Sequence, residues 1–310
     1  MIQDIAPHIY HNEYHQVVPK ASDCLIGVEG QTLYMFQGAE GLEYVTFRQL
    51  DIFCEEDEKL RKSIVYLFEI DEISYFLADP QSESYTWLME HLKAVSGVCT
   101  VTVQDFRQLR PLWKAFGGIT AVQLNNWYQN RKYCGHCGTK LEKSVKERAM
   151  VCPSCGLTEY PKICPAVIIA VTNGNQLMMT KYAGRAFKNY ALVAGFTEIG
   201  ESFEATVERE VMEEVGLKVK NITYYKSQPW AFTDTILAGF FCQLDGSAEY
   251  HMDTEELSVA EWIPRDQIPA RGSDISLTGE MIEAFRTKTY PQYEAWEGKN
   301  SYFEENVSPV

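Results

Sequence analysis

The sequence predicts an α+β chain in three successive parts: a β-rich N-terminal domain, a zinc ribbon, and a C-terminal α/β unit. Three observations carry this. Short apolar bursts broken by glycine and acidic turns fill residues 26–80; two C-x2-C pairs lie at 134–137 and 152–155; beyond them, strand-like runs alternate with a glycine loop and a helix.

Taken in order, LYMFQG, YVTFRQL, SIVYLFEI and SYFLAD read as strands of one antiparallel sheet. ESYTWLMEHLKAVS at 83–96 has helical apolar spacing, and a second helix is expected over 119–131, leading to RKYC. The first domain therefore spans 1–125, and 126–160 holds the end of the linker helix and the ribbon. PAVIIAVT and QLMMTKY then form two strands around the turn NGN. A helix at 202–215 stops at Gly216, strands follow at 219–226 and 235–244, and a late helix occupies 276–287. This third domain covers 161–290, with a tail at 291–310.

The 310 residues, 45% hydrophobic and 13% aromatic, suffice for two packed cores. No apolar run approaches the roughly 18 residues needed to cross a bilayer, and MIQDIAPHIYHNEYH lacks a signal-peptide pattern, so a cytoplasmic address is expected with no membrane partner. A formal charge of -15 argues against non-specific nucleic-acid binding, and it would repel a phosphate-bearing substrate unless cations or local basic residues intervene, which suggests a metal-assisted site if the substrate is anionic. The nine cysteines, an odd count with no secretory signal, argue against a disulfide framework.

Cys134, Cys137, Cys152 and Cys155 give C-x2-C-x14-C-x2-C. Each knuckle points two thiolates at one centre, where Zn²⁺ collects four tetrahedrally. Gly135 and Gly138 ease the tight turn. Four thiolates leave no open position for a substrate, so this zinc supports folding rather than chemistry. Six basic and two acidic residues lie between Arg131 and Arg148, either a solvated face or a nucleic-acid contact.

The stretch GFTEIGESFEATVEREVMEEVGL sets a glycine loop before a helix on which Glu210, Glu213 and Glu214 fall within an arc of about 100°. Three like charges so close repel unless cations join them, and hard divalent ions such as Mg²⁺ or Mn²⁺ prefer such oxygen ligands. A solvated acidic face is the ordinary alternative. Gly195, Glu201, Arg209, Glu210, Val211, Glu213, Glu214, Gly216 and Leu217 fit G-x5-E-x7-R-E-U-x-E-E-x-G-U throughout, U being bulky and aliphatic. This resembles the box of the Nudix hydrolases. The resemblance implies an α/β/α sandwich with a mixed sheet, catalytic metal ligands at Glu210, Glu213 and Glu214, and a structural Arg209 and Glu201 pair that ties loop to helix. The N-terminal domain can itself be Nudix-like.

A ribbon ahead of such a box looks like the NADH pyrophosphatase branch, which carries S-Q-P-W-P-F-P-x-S. Ser227, Gln228, Pro229, Trp230 and Phe232 match it; Ala231 and Thr233 replace prolines, and Thr235 stands for the last serine. The resemblance implies that the segment from Ser227 to Asp234 binds a dinucleotide, with Phe196, Ala194, Tyr160 and Glu147 as further substrate contacts. Without that resemblance, Trp230 reads rather as a core anchor. Arg107 is a looser match to a first-domain basic residue. The family carries a further metal glutamate ahead of a tryptophan, so the resemblance implies Glu256, by its spacing to Trp262, as an additional metal ligand, with Glu255 as the alternative. The expected reaction is metal-dependent hydrolysis of NADH or NAD to nicotinamide mononucleotide and AMP by a homodimer. The alternatives are removal of NAD caps from RNA, a broader nucleoside-diphosphate hydrolase, and a dinucleotide sensor that does not cut.

Overall fold

Chain reversals at glycine and acidic turns divide the first part of the sequence into short strands. The computed structural model describes residues 1–54, 57–184, 189–270 and 275–290; the expected tail at 291–310 lies outside them. They group into two compact units: Ile2–Ile163 together with Trp230–Asp234, and Met1 with Cys164–Pro229 and the residues from Thr235 onward.

The first unit contains β1 (Tyr10–His11), β2 (Cys24–Ile26), β3 (Val28–Glu29), β4 (Thr32–Gly38), β5 (Gly41–Glu43), β6 (Val45–Thr46), β7 (Ile64–Ile70), β8 (Ile73–Ala78) and β9 (Val98–Thr102). They make two sheets rather than one. One runs β1-β7-β8-β2-β6; in the other, β4 pairs with β3, β5 and β9. β2 and β8 are parallel, against the expected all-antiparallel order. The chain between them is long enough for the crossover that parallel pairing needs. Leu25, Val45 and Phe76 from the strands, and Phe47 from the 3-10 turn after β6, pack with Leu88, Met89 and Leu92 in one core.

Helices α1 (Glu58–Arg61), α2 (Tyr85–Ala94) and α3 (Leu112–Asn130) complete this part. α3 starts well before the expected residue 119 and runs unbroken through 125, where a boundary was expected. Gly117 and Gly118 do not interrupt it because close packing uses them. A Cβ on Gly118 would lie 2.3 Å from Phe106, and one on Gly117 would lie 3.1 Å from the Tyr44 hydroxyl. The ribbon follows as three antiparallel strands, β10 (Glu142–Lys143), β11 (Met150–Val151) and β12 (Thr158–Glu159).

The second unit has β13 (Cys164–Asn173), β14 (Gln176–Tyr182), β15 (Val193–Phe196), β16 (Val219–Trp230), β17 (Thr235–Leu244) and β18 (Leu257–Pro264), with helices α4 (Phe203–Val215) and α5 (Leu277–Thr287). The sheet order is β16-β17-β13-β14-β18, with β15 also on β13. β13 and β17 are parallel, while β14 and β15 are antiparallel to β13, so the sheet is mixed as expected. Period-two alternation in β13 feeds two cores. Val167, Ile169 and Val171 meet Val207, Val211 and Val215 of α4; Ile168 and Ala170 meet Leu277, Met281, Ile282 and Phe285 of α5. That is the α/β/α sandwich, and it fixes α4 against one face of the sheet.

Candidate active site

α4 is bounded by signals its own sequence supplies. The Ser202 hydroxyl accepts from the Ala205 N–H at 3.2 Å, and Gly216 ends the helix at φ 67°, its N–H bonding the Met212 carbonyl at 3.0 Å. Since Val207, Val211 and Val215 face the sheet, Glu210 and Glu214 are drawn inward to 8% and 2% exposure, while Glu213 faces out.

Arg209 organises Glu210 and Glu213. Its Nε and Nη2 grip both oxygens of Glu201 at 2.6 and 2.9 Å, Nη2 also donates to the Phe196 carbonyl at 2.9 Å, and Nη1 donates to Glu210 at 2.8 Å and Glu213 at 2.9 Å. Glu201 in turn accepts from the Glu198 N–H and the Thr206 hydroxyl, both at 3.0 Å. The guanidinium holds the Glu201 carboxyl down at about 2. Burial raises Glu210, against the pull of Arg209, and the charges of Glu213 and Glu256 push the same way as burial.

Glycine at 195 is a steric requirement. A Cβ there would lie 1.9 Å from the Glu210 carboxyl carbon, so that carboxylate rests directly on the β15 backbone. The chain after β17 approaches the other end of α4: the His251 and Asp253 N–H groups donate to the Val215 and Glu214 carbonyls at 3.0 and 2.9 Å. These bonds place Glu256 where its charge is felt at Glu210. The Glu255 N–H instead caps Asp253 at 2.8 Å.

Glu210, Glu213, Glu214 and Glu256 offer oxygen donors of the kind hard divalent cations take, and the repulsion registered at Glu210 is what such a cation would relieve. The carboxylates are not drawn together to mutual ligand distance. Among the described residues, the cysteine quartet is the group whose ligand atoms all lie within 4.8 Å of one another.

In the ribbon, the Cys134 and Cys155 sulfurs are 3.6 Å apart, Cys137 and Cys152 3.5 Å, and Cys137 and Cys155 3.7 Å. Thiolates 2.3 Å from a tetrahedral centre lie about 3.8 Å from one another, so the quartet fits Zn²⁺. Cys134 and Cys152 are buried; Cys137 and Cys155 are exposed. The left-handed turn of each knuckle falls on the glycine after its second cysteine, Gly138 at φ 74° and Gly156 at φ 76°. Gly135 has no such role. Tyr160, at the end of the ribbon, donates to Glu147 at 3.2 Å, which brings two expected substrate contacts together on an exposed surface.

Ser227 and Pro229 are exposed on β16, which extends past its expected end. Gln228, between them, faces inward. At 0% exposure, its Nε2 donates to the Ile275 carbonyl and its Oε1 accepts the Leu277 N–H, each at 2.7 Å. Its amide thereby anchors the start of α5 to β16. The segment then turns through a 3-10 helix, Ala231–Thr233, and Asp234 takes a left-handed conformation at φ 55°. Trp230 and Phe232 are half-buried rings 4.7 Å apart at 45°, so Trp230 is not a core anchor. The Arg107 guanidinium lies 4.4 Å from the Phe232 ring centre and 5.2 Å from that of Trp230.

Comparison with known proteins matches residues 162–285 to the NUDIX domain and 129–160 to the NADH pyrophosphatase zinc ribbon domain. A protein of Escherichia coli O1:K1 named NAD-capped RNA hydrolase NudC is 36% identical over 173 residues, 56% of this chain and 67% of that protein. The chain belongs to the Nudix family. An Actinobacillus succinogenes protein of the same name is 44% identical over 171 residues, 53% of this chain and 64% of that protein, so the chain spans less than two thirds of that relative's length. The Nudix box thus corresponds to the Arg209 network.

Of the other expected contacts of this Nudix chain, Phe196 is exposed at the end of β15, and Ala194 is half-buried in register with Ile168. Sequence reasoning missed the reach of Arg209 to Glu210 and Glu213. The spacing of four to Glu213 contains that signal; the spacing of one to Glu210 does not. The ring contacts of Arg107 join residues more than a hundred positions apart, and no local pattern announces them.

Proposed function

We propose that this chain hydrolyses the pyrophosphate of NADH or NAD, giving nicotinamide mononucleotide and AMP. The observation that carries the reading is the carboxylate set of α4, held by Arg209 on the glycine floor of β15. Glu210, Glu213, Glu214 and Glu256 would hold Mg²⁺ or Mn²⁺, and Cys134, Cys137, Cys152 and Cys155 would hold Zn²⁺. A bound divalent ion supplies neutralisation of the diphosphate and a lowered pKa for water. Glu213 and Glu256, the exposed carboxylates, can accept the proton of the attacking water. Trp230 and Phe232 offer flat faces to a base or nicotinamide ring, and Ser227, Pro229, Ala231, Thr233 and Asp234 shape the turn that presents them.

The test is product analysis with NADH and Mg²⁺ or Mn²⁺. Nicotinamide mononucleotide and AMP are expected; intact NADH would sink the assignment. Glu214→Gln should lower turnover by at least about 100-fold, as loss of a ligand oriented for the transition state does, while zinc content and circular dichroism stay unchanged.

The relatives' name and the basic residues from Arg131 to Arg148 favour a second reading, removal of an NAD cap from RNA. Raising salt should then weaken cleavage of capped RNA far more than cleavage of free NADH. The same proposal includes a homodimer in the cytoplasm. Among the described residues no helix is long and apolar enough to cross a membrane.

A further inference from the structure

The turn Trp230–Asp234 connects β16 to β17, yet it groups with Ile2–Ile163. Its 3-10 turn packs on α3, and Arg107 reaches it from a second short 3-10 turn, Asp105–Arg107, that follows β9. Arg107 Nε donates to Gln104 at 3.1 Å, which steadies the side chain while the guanidinium faces Phe232 at 4.4 Å and Trp230 at 5.2 Å.

We propose that Arg107 is a positioning residue that sets the orientation of Trp230 and Phe232, and through them the selectivity for a flat base. The selectivity part rests on the function proposed above. Both rings are half-buried, so packing alone leaves their torsions partly open, and the turn carries Ala231 and Thr233 where proline would fix φ. A planar guanidinium over both rings supplies the missing order. It engages both rings from one group. Lysine, a point charge on a flexible stem, cannot cover two rings at once, and arginine keeps its charge at every working pH.

The test uses the full, zinc-loaded chain. The near-ultraviolet dichroism of Trp230 is first isolated as the difference between wild type and Trp230→Phe. In Arg107→Ala this signal should vanish and KM for NADH should rise about 3- to 30-fold, with kcat nearly unchanged, as expected for loss of a cation–π contact. Arg107→Lys should fall between the two and guards against a folding defect in the alanine variant. Ala231→Pro in the Arg107→Ala background should recover part of the KM change, because a fixed φ replaces what the guanidinium supplied. An unchanged Trp230 signal in Arg107→Ala overturns the proposal. A fall in kcat at constant KM also overturns it, since that places Arg107 at the reacting atoms. If wild type cuts no dinucleotide and the signal is still lost, the ring-positioning role stands and the functional reading fails.

Discussion

Glu210 can occupy its position only because residue 195 has no side chain. Gly195→Ala should therefore displace the carboxylate and lower hydrolysis by at least about 100-fold, as ångström-scale misplacement of a catalytic group does. The fold should persist by circular dichroism. At the loop, the Glu201 carboxyl is depressed from 4.5 to about 2, chiefly by its bonds to Arg209. A carboxyl depressed on folding stabilises the folded state above its unfolded pKa and loses that contribution as pH falls through the folded one. The stability difference between wild type and Glu201→Gln should thus be complete above about pH 4.5–5 and should vanish near pH 2, read from denaturant midpoints across that range. A constant difference would refute the Arg209 bond as its origin. These two residues were legible as members of a spaced pattern. Their steric and electrostatic roles were not, because spacing along a chain does not show which backbone a carboxylate rests on.

Elements were legible where periodicity or end signals were strong. Helix α4 has both, a serine cap and a left-handed glycine stop, and it begins within a residue of expectation. α3 starts ahead of its expected residue 119, across Gly117 and Gly118, whose lack of a side chain Phe106 and Tyr44 need. β16 was cut short: SQPW reads as a binding motif, yet it continues the strand, and alternation turns Gln228 inward. Gln228→Ala should leave the Leu277 N–H and Ile275 carbonyl without this partner and cost about 2–5 kcal/mol, given about 1–3 kcal/mol per buried group left unsatisfied. The measurement is the denaturation midpoint against KM. A large KM change with unaltered stability would mark Gln228 as a substrate contact rather than an anchor of α5.

For the whole molecule, the order of ribbon before sandwich was legible because thiolate spacing and the glutamate box are both local patterns. Pairing of β2 with β8 was not, since it joins segments far apart in sequence. The quartet geometry predicts one zinc per chain. Its removal by a strong chelator should expose four thiols to titration and lower Tm by at least about 5 °C, because the metal's binding energy is folding energy for the ribbon. Unchanged Tm after zinc loss would leave the quartet without a structural role. The turn from Trp230 to Asp234 bears on heredity as much as on chemistry. A recombination event that excised the sandwich at residue 164 would carry off Trp230 and Phe232 and leave Arg107 behind. A gene fusion cut at that point would have to supply the missing half of the stack anew.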